Sequence, residues 1–499
     1  MTPGGALAGT GTVSRGPGRI SRLSQDPAVR KFALFAVLLG CCAFYGLLFS
    51  VNWKWGAALA CFVVALTFDF WDLRVAILPI FFAIAMDRLG KIGETPLTVA
   101  KVLIAVYMIA WLTTLALERK PEPLNAVLLN PVFYLAGLLL ALSLASVVNA
   151  HNIDMFLGQS LRRINNFVLF VILVTVVDSQ RVVRWIFYVM IFAYFLVGLT
   201  TMYELMTEQS ILLTVWGEED TGLEFTLQSD SFRIGGPGGD PDFLAISIIF
   251  PSLIALRLLF DKNRFFIKAP AAITLLMLTV AMLATGSRGG LVSWLFALGL
   301  FWLFTEMRWK FLIASGAMVA VVLLLVILSL TTSSGSSERF TGETGGTSVK
   351  YRLGWWQIAG MMIADHPWIG VGTGNFPTTA GRYRPFVPQV PRTPYWTHNS
   401  LLQTGAENGV LAFLVYVGIY VVAALMMLRV IHRARDATLR KLATTMLAAV
   451  GGYFIFAGSS NILENENYWI VFALCTVVYR FFLLAEAGEG APSAPVPVT

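Results

Sequence analysis

The sequence predicts an all-α fold, a polytopic transmembrane helical bundle, and three observations lead to this prediction. Hydrophobic residues make up 57% of the chain and charged residues only 13%, whereas soluble proteins typically carry about 25% charged residues. Apolar runs of membrane-spanning length recur along almost the whole sequence. Lys and Arg cluster in the short segments between alternate runs, as they do in cytoplasmic loops. A water-soluble fold would leave too much of this apolar surface exposed, so the bilayer must be the solvent.

The N-terminal segment is polar and basic, with Arg15, Arg19 and Arg22 among its charges. Residues 1–30 are therefore predicted to form a disordered cytoplasmic tail. The apolar run that follows is about 20 residues long, too long for a typical cleaved signal peptide and suited to a first membrane anchor. The transmembrane helical domain is expected to occupy 31–485, and 486–499 are expected to form a second cytoplasmic tail.

About fourteen apolar runs are long enough to be considered membrane spans. They lie at 32–51, 55–70, 74–87, 97–117, 127–148, 160–178, 183–202, 242–259, 267–285, 290–305, 310–331, 409–428, 441–458 and 468–485. The second and third runs are short, and this pair is either re-entrant or fully spanning. The sequence therefore predicts between about twelve and fourteen spans.

Basic residues set the expected orientation. With the N-terminus inside, the basic clusters at 119–120, 262–268, 308–310 and 429–441 all fall on the cytoplasmic side. Both termini are then cytoplasmic. The net charge of +7 is accordingly interpreted as a topology signal, and membrane lipids rather than nucleic acid are the expected surroundings.

Two segments on the external side are long, 203–241 and 332–408, and only the second is domain-sized. Long loops in compact folds are usually functional or disordered. The beginning of the second, Ser/Gly/Thr-rich residues 331–347, is predicted to be mobile. Residues 348–364 are predicted to form an amphipathic helix on the outer membrane surface, ended by Asp365-His366-Pro367. Residues 370–374 form a glycine-rich turn that is a weak phosphate-binding signal, because no strand precedes it and no Gly-Lys-Ser/Thr follows.

Three arginines on the external side are candidates for binding an anion. Arg233 precedes a glycine-rich stretch, Arg288 lies in a tight Thr-Gly-Ser-Arg-Gly-Gly turn between two spans, and Arg352 lies beside Trp355 and Trp356. Arginine holds phosphate groups bidentately and keeps its charge. Each also has a structural interpretation: an ordinary loop residue, a snorkelling side chain and an interfacial anchor, respectively.

A histidine and a glutamate are candidates for catalysis. His398 lies in a polar stretch, 396–409, that leads directly into an apolar run, and Glu407 follows about two and a half turns later if the stretch is helical. Imidazole suits proton transfer near neutral pH. The alternative is that His398 is a loop histidine without a catalytic role. His366 lacks polar neighbours, and His432 lies in a basic cytoplasmic loop.

These residue types fit one class of reaction on a membrane face without ATP. A glycan linked to a polyprenyl diphosphate carries its own leaving group, and arginines at the interface can stabilise the charge that develops on it. A base can take the proton of the acceptor hydroxyl. The sequence has no HxxxH, no DxD and no cysteine cluster, so it predicts a metal-independent reaction with no cofactor.

Several of these segments resemble the O-antigen ligase and polymerase superfamily. The resemblance is carried by HNSLLQTGAENGVLAF at 398–413, TGSRGG at 285–290, HPWIGVGTGNF at 366–376, Arg339 with Arg352, and Arg233 before Pro241-Asp242. It extends over roughly 200–430. Asp242 stands where that superfamily has an asparagine.

The resemblance implies a multi-spanning inner-membrane glycosyltransferase of the GT-C type that inverts the anomeric carbon. It implies an undecaprenyl-diphosphate-linked glycan as donor at the periplasmic face, with lipid A core or another glycan as acceptor. It further implies that His398 activates or binds the acceptor hydroxyl and that Arg233, Arg288 and Arg352 hold the diphosphate. With Glu407, which is singled out by its helical spacing, His398 completes the predicted catalytic residues.

Several functions remain open on sequence alone. Ligation to lipid A core, polymerisation of O-antigen or exopolysaccharide units and protein O-glycosylation would use the same residues, and a ligase-like activity is favoured. A lipid-linked glycan flippase is a further alternative. It is disfavoured because the sequence shows neither internal repeats nor charges at mid-membrane depth. A structural scaffold in the membrane is the third class.

Overall fold

The computed structural model describes residues 73–87, 98–118, 130–211, 233–261, 264–305, 343–391 and 396–490. Helices and connecting turns account for these ranges, and no β-strand is found within them. The predicted all-α fold is confirmed. The N-terminal tail, the first two apolar runs and the run at 310–331 lie outside the described residues. The last helix continues to Gly490, so it includes the first residues of the predicted C-terminal tail.

We number the helices of the described ranges in chain order. They are α1 (Leu73–Ala76), α2 (Leu78–Ala85), α3 (Val99–Glu118), α4 (Pro131–Ala145), α5 (Ile153–Val176), α6 (Gln180–Thr207), α7 (Pro241–Phe260), α8 (Phe265–Ala284), α9 (Arg288–Phe304), α10 (Glu343–Asp365), α11 (Phe376–Tyr383), α12 (Ser400–Asn408), α13 (Val410–Arg433), α14 (Ala437–Ala457) and α15 (Glu466–Gly490).

Seven helical segments within the described ranges are long and apolar enough to cross a membrane: α4 with its 3₁₀ extension to Asn149, α5, α6, α7, α8, α13 and α15. Shorter apolar helices occur at 73–85, 100–113 and α9. The polytopic helical fold is thus confirmed. The total of twelve to fourteen spans stays a prediction, since part of the chain lies outside the described residues.

The helices run up and down, so their connections gather at two ends of the bundle. One end joins α5 to α6, α7 to α8 and α13 to α14, and there Lys441 Nζ lies 2.7 Å from Asp261 Oδ1. At the same end the Gln180 amide donates to Asp436. We call this the basic end. The other end, here the site end, joins α4 to α5, α8 to α9 and α14 to α15 and carries α10 to α12. This alternation matches the predicted order of the spans.

The segment predicted as a large external loop has its own helices and its own small core. Helix α10 begins at Glu343, so residues 343–347 are helical, and it ends at Asp365 as predicted. The rest of the stretch predicted to be mobile, together with Arg339, lies outside the described residues. Its apolar face packs against α11 and α12, with Trp355 and Met362 buried against Phe376. Because protein covers this face, it is not available to the membrane surface as the sequence had suggested.

Candidate active site

Arg233 connects two turns that are far apart in the sequence. Its Nε donates to the carbonyl oxygen of Thr285 at 2.9 Å, and its Nη2 donates to Asp242 Oδ1 at 3.2 Å. Both charged side chains are mostly enclosed, with exposed fractions of 22% and 18%. Two of the predicted arginine motifs therefore meet at the site end of the bundle.

A buried carboxylate, that of Glu204, binds the backbone of the glycine-rich turn after Arg233. Glu204, at the end of α6, accepts the backbone N–H of Gly236 at 2.8 Å and that of Ile211 at 2.9 Å. Gly236 has a φ of +55°, a conformation that favours glycine. Asp240 then caps α7 by accepting the N–H groups of Asp242 and Phe243. The position of Asp242 is thus fixed from both sides.

The turn that contains Arg288 brings α9 close to its neighbours. Ser287 caps α9 by accepting the N–H of Gly290, and Arg288 is the exposed first residue of the helix. A Cβ on Gly289 would lie 2.3 Å from Ser459 Oγ, in the connection between α14 and α15. The close contact with Ser459 favours glycine at position 289, and the Arg233 side chain lies against the same turn, since its Nε donates to the Thr285 carbonyl oxygen.

His398 lies just before α12 in an unusual backbone conformation. Its φ is +50°, in the left-handed region that residues other than glycine rarely adopt. The preceding residue, Thr397, is fully buried, and its carbonyl oxygen accepts the indole N–H of Trp356 at 3.1 Å. Asn399 caps α12 by accepting the N–H of Leu402. Strained backbone of this kind persists only where the surroundings hold it.

The charges around His398 come from three separate segments. Burial lowers the pKa of His398 to about 4, with a further decrease from the nearby charge of Arg352. The charge of Asp242 opposes this shift, and that of Arg233 adds to it. The imidazole is therefore neutral at pH 7, the form in which it can accept a proton.

Asp242 is the centre of this group. It pairs with Arg233 and interacts electrostatically with Arg352 and His398, and its carboxylate lies within hydrogen-bonding range of the Ser287 side chain. The sequence had drawn attention to Asp242 only as a departure from the superfamily pattern. In the structure it links the segments that carry Arg233, Arg352 and His398.

Three helix N-termini also lie at this group: α7 after Asp240, α9 after Ser287 and α12 after Asn399. The N-terminal end of a helix carries partial positive charge and unpaired N–H groups. Together with the arginines, these helix ends make the region electropositive. Such an arrangement suits a phosphate-bearing ligand.

Glu407 lies apart from this group. Its side chain has no exposed surface, and its Oε2 lies 3.3 Å from Nη2 of Arg163 on α5. Burial raises the pKa of Glu407 to about 7, while the charge of Arg163 acts in the opposite direction. The helix predicted to link His398 and Glu407 is present as α12, but the two side chains belong to different clusters.

The glycine-rich segment 370–374, here the glycine loop, packs against the end of α12. Gly370, Gly372 and Gly374 have φ values of +73°, +100° and +74°, and a Cβ on Gly370 would lie 2.3 Å from the backbone carbon of Glu407. The predicted turn is confirmed, and its glycines permit close backbone contact.

Within the residues that the structure describes, no group of three or more His, Cys, Asp or Glu side chains is placed to hold a metal ion.

A family model described as O-antigen ligase matches residues 272–417. Residues 272–417, here the O-antigen ligase segment, are similar to that family. The O-antigen ligase segment contains Arg288, Arg352, His398 and Glu407 and supports a ligase- or polymerase-type function in general. No curated protein matches the chain.

Other site residues lie outside the O-antigen ligase segment; of these, Arg233 was predicted from the sequence, whereas Asp242 received no role and Arg163 and Glu204 were missed. Arg233 and Asp242 precede that segment, and the buried Arg163 lies more than a hundred residues upstream. Arg163 carried a recognisable signal, since it lies with Arg162 inside a predicted span, and ionisable residues within membrane spans are usually functional. Glu204 had no such signal. Its partners are the backbone N–H groups of Ile211 and Gly236, which no local sequence pattern connects to it.

Proposed function

We propose that the protein transfers a glycan from an undecaprenyl-diphosphate carrier to an acceptor hydroxyl at the periplasmic face of the bacterial inner membrane. The acceptor is lipid A core or a growing polysaccharide, as in lipopolysaccharide synthesis. The observation that carries the proposal is the convergence of Arg233, Arg352, Asp242 and His398, from three segments, at one end of a membrane bundle.

The donor diphosphate would bind where the positive charge is concentrated. Arg233 and Arg352 face the site, and Arg288 begins α9 beside it, so the guanidinium groups and helix ends match a doubly charged leaving group. As the glycosidic bond to the carrier breaks, its electron pair stays on the diphosphate oxygen. The arginines stabilise that charge without a metal ion.

His398 would act as the general base. Its neutral imidazole takes the proton of the acceptor hydroxyl while the hydroxyl oxygen attacks the anomeric carbon and the diphosphate leaves from the opposite face. This single displacement inverts the anomeric configuration. Bound diphosphate also opposes the arginine charges that lower the pKa of His398, so donor binding increases the basicity of the imidazole.

The charge distribution at the two ends of the bundle supports the orientation in the proposal. The basic end carries Arg429, Arg433, Arg435 and Lys441 close to helix ends, which is typical of a cytoplasmic face. The site end then faces the periplasm. Cysteine labelling from outside intact spheroplasts tests this orientation at exposed Trp368 (Trp368→Cys), with labelling expected there and not at Arg433→Cys.

Substitution of the proposed base tests the function. His398→Ala, expressed in a host that lacks the gene, is expected to abolish surface glycan at normal protein abundance. His432→Ala is the matched control, since it removes a histidine at the basic end and is expected to leave the glycan unchanged. Normal glycan in the His398 variant would refute the role of the imidazole.

A further inference from the structure

A buried arginine outside the O-antigen ligase segment makes an unusually complete set of contacts. Arg163, with 4% of its surface exposed, faces Glu407 at 3.3 Å and Glu464 at 3.4 Å. Its Nη1 donates to Ser143 Oγ at 2.8 Å and to Asn408 Oδ1 at 2.7 Å. A buried cation is tolerated only when charges and hydrogen bonds compensate it, and here they come from three different segments.

Further hydrogen bonds connect the glycine loop to the residues around Arg163. The Asn408 amide donates to Thr373 Oγ1 at 2.7 Å, and the backbone N–H of Thr373 donates to Ser146 Oγ at 2.9 Å. The backbone carbonyl of Glu407 accepts the N–H of Gly372 at 3.0 Å. Arg163 therefore lies where α4, α5, the glycine loop and the end of α12 meet.

A chain of hydrogen bonds leads from this junction to His398. Glu407 Oε1 accepts from Gln403 Nε2 at 3.0 Å, one turn earlier in α12. Gln403 Oε1 lies 3.2 Å from the hydroxyl of Thr397, which directly precedes His398. Each link is buried, so water does not compete for these bonds.

Thr397 in turn shapes the backbone at His398. Its hydroxyl oxygen accepts the N–H of Asn399 at 3.2 Å and lies 2.9 Å from the Asn399 carbonyl oxygen. These contacts connect the residues on either side of His398, the residue with the left-handed backbone conformation. A rotation at Thr397 would therefore change the direction in which the imidazole points.

We propose that Arg163 is a positioning residue for His398, acting through Glu407, Gln403 and Thr397. This inference rests on the proposed function. It assigns Glu407 an indirect role, since a side chain with no exposed surface does not reach a substrate. The chain of contacts holds α12 and the backbone before His398 in the orientation that the reaction needs.

Two variants interrupt the chain at different points. Thr397→Val keeps the shape of the side chain and removes the hydroxyl, leaving the Arg163–Glu407 pair intact, and Glu407→Gln removes the charge that Arg163 faces. Both are expected to lower kcat about 10- to 100-fold, because a displacement of about 1 Å in a catalytic group has effects of that size. The KM for the donor is expected to change less than about twofold, since Arg233 and Arg352 are unaltered.

Asp261→Asn is the matched control, because it also converts a carboxylate to an amide and breaks a contact with Lys441, but at the basic end. Rates are measured in proteoliposomes with lipid-linked glycan and acceptor extracted from the producing host. The control is expected to lower the melting temperature without changing kcat. An equal loss of kcat in Asp261→Asn, or wild-type kcat in both test variants, would overturn the positioning role.

His398→Ala, measured in parallel, separates this inference from the proposed function. If that variant transfers glycan normally, the proposed function itself fails. If it is inactive while Thr397→Val and Glu407→Gln transfer at the wild-type rate, only the positioning role fails. The double variant Thr397→Val/Glu407→Gln is expected to lose less than the product of the single losses, because both changes interrupt one path.

Discussion

The pH dependence of transfer offers a quantitative test of the site. Burial and the charge of Arg352 lower the pKa of His398 to about 4 in the free protein. At pH 5 a base with that pKa is about 90% deprotonated, whereas a histidine with the ordinary pKa of about 6.5 is only about 3% deprotonated. If His398 is the base, the free protein at pH 5 therefore retains roughly 30 times more active form than an unperturbed histidine allows.

The measurement is kcat/KM for the donor in proteoliposomes between pH 4 and pH 7.5, since this quantity reports ionisations of the free protein. We expect an acid limb centred near pH 4. The limb of kcat is expected at higher pH, because the bound diphosphate favours the imidazolium form and raises the pKa of His398. Aliquots returned from low pH to pH 7 control for irreversible inactivation.

A limb of kcat/KM centred near the ordinary histidine pKa would refute the reasoning, because it would mean that neither burial nor the arginine charges lower the pKa of the base. A profile identical in wild type and His398→Ala would likewise show that another group titrates. An acid limb of kcat that coincides with that of kcat/KM would contradict the expected effect of the donor on His398.

Variants of the neighbouring charges are expected to move this limb in opposite directions: Arg352→Gln raises the pKa of His398 and shifts the limb to higher pH, and Asp242→Asn shifts it to lower pH. Equal shifts in the same direction would count against direct electrostatic coupling. Gly370→Ala is expected to reduce the yield of folded protein, because its Cβ would lie 2.3 Å from a backbone carbon of α12, whereas Gly360→Ala, with open space around it, is expected to express normally. Tyr453→Phe removes a buried hydroxyl that has no hydrogen-bond partner in the described part of the chain, so the melting temperature is expected to stay the same or rise.

Most of the fold was predictable because the bilayer imposes simple rules on the sequence. Apolar length located the helices, and basic residues predicted which connections share an end. The error lay in α10, whose apolar face was assigned to the membrane surface although Phe376 and other residues of α11 and α12 cover it. An amphipathic pattern states that one face is buried but does not state against what.

The candidate site was predictable only in part, for a related reason. Arg233, Arg352 and His398 were found because each lies in a motif of unusual composition beside a span, and the structure brings them together. Glu407 was assigned to the same cluster from helical spacing alone. Spacing along α12 places the residue on a helix, but the direction of its side chain depends on the packing against Arg163, which no local pattern reveals.

Asp242 shows how charge balance completes the arrangement at His398. Two arginines beside a buried imidazole would leave strong, uncompensated positive charge in a partly enclosed site. A carboxylate paired with Arg233 reduces that charge without neutralising it, so the site still attracts an anion. Under the proposed function, an asparagine at this position is expected to leave the site more positive, strengthening diphosphate binding while weakening the base. The proposal then assigns the aspartate to proton transfer at the expense of donor affinity, and the ratio of kcat to KM effects in Asp242→Asn measures that balance.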